Sequence, residues 1–237
     1  MSANRFHCVN QLLAALPESE YQRLLPYLQS VELNAREILY QPQETIRYAY
    51  FPEQCLISSV AVLENGATTE VARVGKKGVV GIPSILGRES SLHSAMVLIG
   101  GNAMRLEIEI LQQEFNRGEQ LQRLLLLYIH TLLAQAMQNV ACHSQHKIEQ
   151  RLARLLLSVH DCLQQEQFTL TQESIATMLG VRRAGVTNAA NHLQKANIIH
   201  YRRGNITIID RSRLEQASCE CYSVIKREFD RLFGFNV

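Results

Sequence analysis

Residues 119–145, EQLQRLLLLYIHTLLAQAMQNVACHSQ, carry two apolar rows at helical spacing. Leu121, Leu125, Tyr128 and Leu132 form one row, and Leu126, Ile129, Leu133, Ala136 and Val140 form the other. A helix that is apolar on more than one side must be covered twice. Its own domain is expected to cover one side and a partner the other, with Leu125 and Leu132 in the partner seam. No run of about 18 apolar residues exists, and LLLLYIHTLL is short and contains His130, so no membrane span is expected.

The segments on either side have different periods. Residues 8–30 repeat Leu12, Leu13, Leu16, Tyr21, Leu24, Leu25 and Leu28 at helical spacing, with a second helix starting at Pro17 and Glu18. From Val31, short β-branched and aromatic runs broken by Pro, Gly and Asn predict an antiparallel sandwich or barrel. The pair Asn65–Gly66 between two such runs predicts a two-residue hairpin turn. After the long helix, KIEQRLARLLLSVHDCL predicts another, with Ile148, Leu152, Leu155 and Leu156 in register.

Two short helices follow, joined at Gly180. Thr171 suits an N-cap for QESIATML, and Gly180 supplies a left-handed turn. The next helix is expected from Arg182 or Arg183 to about Ala196. Counting from Gln172, Ile175 is fourth, Ala176 fifth, Leu179 eighth and Gly180 ninth. Val181, Val186 and Ala189 are tenth, fifteenth and eighteenth. A small residue at the fifth place lets the second helix cross closely, and glycine at the ninth accepts a positive φ. This pattern is a helix-turn-helix. IIHYRRGNITIID then predicts a hairpin with its turn at Gly204–Asn205, and a last amphipathic helix spans roughly Arg213 to Phe233.

Charge follows the same division. Residues 1–146 carry 11 Lys/Arg against 13 Asp/Glu, whereas residues 147–237 carry 13 against 9. Between Ser174 and Ile209 there is no acidic residue, while Arg182, Arg183, Lys195, Arg202 and Arg203 all lie there. A single-signed block in a balanced chain is a footprint for a polyanion. The N-terminus lacks a basic start, an apolar block and a cleavage site, and six scattered cysteines suit thiols in a reducing compartment, so a cytoplasmic location is expected.

In EQRLARLLL, LTQESIATMLGVRRAGVT and YRRGNITIIDR, and in its order of elements, the chain resembles the Crp/Fnr family of bacterial transcription regulators. The resemblance implies an α+β chain: an N-terminal antiparallel, jelly-roll-like β-roll, a long central dimerisation helix and a C-terminal winged helix-turn-helix. It implies a sensor domain over 1–118, a dimerisation helix and hinge over 119–145, and a DNA-binding domain over 146–237. Double-stranded DNA, a second copy, RNA polymerase and an unknown small-molecule effector are the implied partners. Thr171, Gln172, Arg182, Arg183, Thr187, Asn188, Asn191, Arg202 and Arg203 are the expected DNA-binding residues.

This sequence also departs from the family. The recognition helix in the family usually begins Ser-Arg-Glu-Thr-Val, but here the run is Arg182-Arg183-Ala184-Gly185-Val186, with Asn188 where a second Arg is common. Cyclic-nucleotide binders hold the ribose with a Gly-Glu pair and the phosphate with Arg-Ser-Ala. Here Gly78-Val79 stands at the first motif and Ser91 or His93 at the second. A Val cannot hydrogen-bond a ribose, and a buried phosphate without its cation is costly. Gly78, Val79, Arg88, Ser91 and His93 thus mark a degenerate effector pocket, and cyclic AMP is not expected to bind.

Other chemistry is thinly represented. Cys142, His143 and His146 are metal-ligand types at the hinge but lack a second ligand pair. Cys219 and Cys221, two apart on the expected last helix, should point away from each other. No metal and no cofactor are therefore expected. Cys8 alone cannot supply an N-terminal iron–sulfur site. No triad or carboxylate pair falls in one place, and His93 alone is too little for a cupin-like metal barrel, so no enzyme is expected. Two other readings remain: a metal- or thiol-based redox sensor, and a ligand- or protein-binding module with an incidental basic wing.

Overall fold

The computed structural model describes residues 8–64, 66 and 68–234. The chain runs α1 Gln11–Ala14, α2 Glu18–Leu24, β1 Gln29–Leu33, β2 Ile38–Tyr40, β3 Tyr48–Pro52, β4 Leu56–Val62 and β5 Thr68–Val74. It continues with α3 Ile82–Ile85, β6 Ser94–Ile99, β7 Gly101–Glu107, α4 Ile108–Asn116, α5 Gln120–Gln145 and α6 Ile148–Leu163. The last elements are β8 Gln167–Thr169, α7 Gln172–Leu179, α8 Arg183–Lys195, β9 Ile199–Arg202, β10 Asn205–Ile208, α9 Arg211–Ala217 and α10 Cys221–Gly234. Residues fall into two compact units: 1–58, 73–132 and 229–237 form one, and 59–72 with 133–228 form the other.

In the first unit, β1, β7 and β3 make one antiparallel sheet in the order β1-β7-β3. β2 and β6 pair antiparallel in a second sheet. The chain is mixed α and β, as expected. Of the expected Asn65–Gly66 turn, Asn65 lies outside the described residues, while Gly66 has φ +79°. Phe51, Ile57, Val97, Leu106 and Leu111 fill the core, and Leu121, Leu125 and Tyr128 of α5 pack into the same cluster. The start of α5 is held by Glu20, whose carboxylate accepts from the Gln120 and Leu121 amides at 3.1 and 2.8 Å. Those amides would otherwise be orphaned at a helix N-terminus, where negative charge is favoured.

The outward rows of α5 differ from the expectation. Leu125 is buried in the β-domain and cannot lie in a partner seam. The exposed row is instead Leu126 (49%), Leu133 (53%), Met137 (63%) and Val140 (73%). Both rows obey the same period, so spacing alone could not say which one the sheets would cover. By length and composition α5 could also cross a bilayer, with a mean hydropathy of 1.3 over 18 residues, although no uninterrupted apolar run of that length occurs.

In the second unit, α6, α7 and α8 pack around Leu152, Leu156, Ile175, Leu179, Val186 and Leu193, and β8, β10 and β9 form a small antiparallel sheet. The expected single C-terminal helix is two helices. The chain breaks after Ala217, where the Ser218 amide and hydroxyl both turn back to the Glu215 carbonyl, and α10 begins only at Cys221.

Candidate nucleic-acid interface

Thr171 caps α7, its hydroxyl accepting from the Ser174 amide at 3.1 Å. Gly180 ends the helix with φ +59° and ψ +42°, and the Val181 amide closes back on the Ala176 carbonyl at 3.0 Å. Glycine is needed twice over here, because a Cβ would take up a disfavoured left-handed geometry and stand 3.1 Å from the Thr69 hydroxyl. The buried guanidinium of Arg151 donates to the Leu179 carbonyl, tying α6 to the end of α7.

Arg182 is the N-cap of α8, and Val186, Ala189, Ala190 and Leu193 are buried, as the spacing predicted. Arg182, Arg183, Asn188 and Asn191 are exposed, and Thr187 is half-buried. Gln172 organises the near end of this face. Its side-chain oxygen accepts from Arg183 Nε at 3.2 Å and lies 3.1 Å from the Thr187 hydroxyl. That hydroxyl is equally close to the Arg183 carbonyl, so its one proton serves one acceptor at a time. Arg183 thus keeps its terminal guanidinium nitrogens for an outside partner. A Cβ at Gly185 would meet Ile148 of α6 at 2.9 Å, so the smallness of this residue lets α8 pack on α6.

The wing turn is shifted by one residue from the expectation. Arg202 pairs with Asn205, and the two turn residues are Arg203 (φ +51°) and Gly204 (φ +86°). Two positive φ values fit the hairpin turn that matches strand twist. Asn205 stays in β10 because its side chain accepts from the Thr169 hydroxyl at 2.9 Å, joining β10 to β8. Arg203 consequently stands at the tip, exposed beside Arg202. The Tyr201 hydroxyl donates to the Leu170 carbonyl at 2.9 Å and fixes the wing to the approach of α7; burial pushes that phenol up to about 12.

The five candidate effector residues lie in the first unit. Val79 is fully buried in its core. Gly78 faces Tyr128, whose ring occupies the space a Cβ would need. Burial raises the Tyr128 phenol, and its hydroxyl has no side-chain partner among the described residues, lying only near the Val79 backbone. Arg88 is exposed, and Ser91 is buried with its hydroxyl accepting from the His93 amide at 3.0 Å.

A fourth place escaped the sequence. Cys142 and His146, at the end of α5, meet Cys219 and Cys221, with all four ligand atoms within 4.8 Å of one another. The expected opposition of Cys219 and Cys221 assumed one helix, but Cys219 sits in the break before α10 and is turned inward. His143 does not join them. Burial, with Arg151 and Arg154 nearby, lowers it to about 4. The Cys142–Cys219 hydrogen bond pulls Cys219 down and pushes Cys142 up.

Residues 150–217 match the Crp-like helix-turn-helix domain family. This stretch, from α6 through α9, is a Crp-like helix-turn-helix domain. FixK2 from Bradyrhizobium japonicum has the same fold, with a TM-score of 0.69 and 18% identity over 81% of this chain and 98% of that one. TTHB099, a CRP-family transcriptional regulator from Thermus thermophilus, gives 0.66 and 18% over 79% and 96%. TTHA1359, a CRP/FNR-family regulator from the same organism, gives 0.61 and 19% over 80% and 98%. No curated protein sequence matches significantly. In this Crp-like domain, α8 is the second helix of the motif and the β9–β10 hairpin is its wing.

Proposed function

We propose that this chain is a DNA-binding transcription regulator of Crp/Fnr type, working in the cytoplasm as a homodimer that reads a two-fold symmetric DNA site and engages RNA polymerase. Residues 1–118 act as the sensor, 119–145 as the pairing helix and hinge, and 146–237 as the reader. The exposed row Leu126, Leu133, Met137 and Val140 supports the pairing, since four large apolar side chains on one helix need a cover. Half-sites then fall about one helical turn apart, ~34 Å.

The observation that carries the reading is the acid-free outer face headed by Arg183. With Nε held by Gln172, Arg183 presents its guanidinium for a bidentate contact to guanine. Asn188 suits adenine, and Asn191 and Thr187 lie along the same groove-facing side. Arg182, Arg202 and Arg203 meet phosphates, with Thr171 and Gln172 positioning the approach. Binding of fluorescent duplexes, selected from a genome-wide map of bound sites, tests this. Arg183→Ala should flatten preference at one base of each half-site; uniform weakening with preference intact would remove Arg183 from base reading.

The effector of this sensor is not cyclic AMP. Val79 lies in the core where a ribose-binding carboxylate would be needed, and Tyr128 packs against Gly78. Excess cyclic AMP should give no heat in calorimetry and no rise in Tm. Saturable micromolar binding would show that Arg88 or another cation restores the site. One fold neighbour, CLP of Xanthomonas campestris, is described as responsive to c-di-GMP, which makes other nucleotides the next ligands to try.

A further inference from the structure

We propose that Cys142, His146, Cys219 and Cys221 form a mononuclear zinc site that clamps the break between α9 and α10 to the end of α5. This goes beyond the DNA-binding reading and does not depend on it. Buried cysteines are commonly inert and apolar, so convergence of sulfur alone would mean little. What points to a metal is the shape of the whole set.

Zinc bound at ~2.3 Å by sulfur and ~2.0–2.1 Å by imidazole nitrogen, in a tetrahedron, sets neighbouring donors apart by ~3.8 Å for two sulfurs and ~3.6 Å for sulfur and nitrogen. Here the Sγ atoms of Cys142 and Cys219 are 3.5 Å apart, and Cys221 Sγ is 3.6 Å from His146 Nδ1. All four donors fit within 4.8 Å. Three thiolates and one imidazole are a common structural zinc set. An iron–sulfur core would need its cysteine sulfurs spread around several atoms instead of one. A disulfide would need the two sulfurs at ~2.05 Å and would give His146 and Cys221 no reason to converge.

The surroundings support the same ion. His146 faces the sulfurs with Nδ1, while Nε2 lies 3.2 Å from a Glu220 carboxylate oxygen, the outer partner that fixes a metal-binding imidazole in its tautomer. Gln138 donates to Cys221 Sγ at 3.0 Å. Three thiolates on Zn2+ leave one negative charge, and the Arg154 guanidinium acts on both Cys142 and Cys219 while donating to Asn139 at 2.8 Å. Binding releases to solvent the proton of each thiol that still carries one, with no change of oxidation state.

The test uses full-length protein, purified without a polyhistidine tag or chelator and kept reduced. Elemental analysis should find one zinc per chain. After exchange, Co2+ should give the intense visible bands of a tetrahedral ion together with thiolate-to-cobalt charge transfer. His146→Ala and Cys219→Ser should each lose at least nine-tenths of the metal, whereas His143→Ala and Cys8→Ser should keep it. Wild-type protein with less than a tenth of an equivalent of zinc and only a weak octahedral cobalt spectrum would overturn the proposal. So would iron with inorganic sulfide, or a Cys142–Cys219 disulfide in reduced preparations. Equal metal loss in His143→Ala and His146→Ala would overturn the ligand set. The cobalt spectrum of the unmutated chain decides the matter even where a cysteine variant fails to fold.

Discussion

Helix α8 and the Gly78–Val79 segment are the two places where the proposed function puts DNA and effector, and this chain builds them oppositely. At α8, polar side chains point outward and their inner ends are anchored, as Gln172 anchors Arg183. At Gly78–Val79, the chain has turned apolar atoms inward and set Tyr128 against the glycine. Damage to the first region should therefore change binding and spare stability, and damage to the second should do the reverse.

The largest effect should come from removing the proposed pairing, on which two-site DNA binding depends. Leu133→Glu with Met137→Glu should give monomers by light scattering, with operator affinity falling about 100-fold or more as the avidity of two half-sites is lost. Unchanged dimers would place the contact away from this row. Next, Arg183→Ala should weaken specific binding by ~1–3 kcal/mol with Tm unchanged. Gly78→Ala should show the converse, losing ~1–3 kcal/mol of stability as the new Cβ displaces Tyr128, with operator affinity per folded dimer retained. If Gly78→Ala leaves Tm alone, the packing described around Tyr128 is wrong.

Smaller effects refine the contrast. Arg203→Ala should weaken all sequences alike and reduce the salt slope by about one unit per half-site. Away from both regions, His160 offers a pH test. Its Nδ1 accepts from Arg211 at 2.6 Å, so the ring is held neutral, and burial followed by the Arg211 charge lowers its pKa below the ordinary histidine value. The unfolded chain then takes up a proton first. Stability is full above about pH 6.5 and declines as pH falls from there toward the lowered folded value. In denaturant titrations His160→Gln should flatten that slope; an unchanged slope would assign it to other groups.

Much of this was legible in the chain itself, for reasons that particular residues show. Gly180, the small Ala176 and the period of Val186, Ala189 and Leu193 act over a few residues, so their spacing carried through to the structure. The wing turn was off by one because a Gly-Asn pair suggested the turn, while the Thr169–Asn205 bond, made 36 residues away in sequence, holds Asn205 in the strand. The exposed row of α5 was unreadable because two rows shared one period. The cysteine cluster was missed for a different reason. It joins residues 77 apart, and the helix-phase argument against it failed at the break that Ser218 introduces.

The second compact unit includes residues 59–72 as well as 133–228. Within it Thr69 lies beside Gly180, and the Val71 carbonyl accepts from Asn139 at 3.5 Å. This unit is therefore not a cassette that can be cut out at one point. A chimaera carrying only residues 133–228 behind a foreign sensor would leave out Thr69, the β5 residue that lies against the helix-turn-helix glycine. A transplant that keeps the proposed operator preference would have to carry both segments, and drift at Thr69 would be constrained by a motif more than a hundred residues downstream.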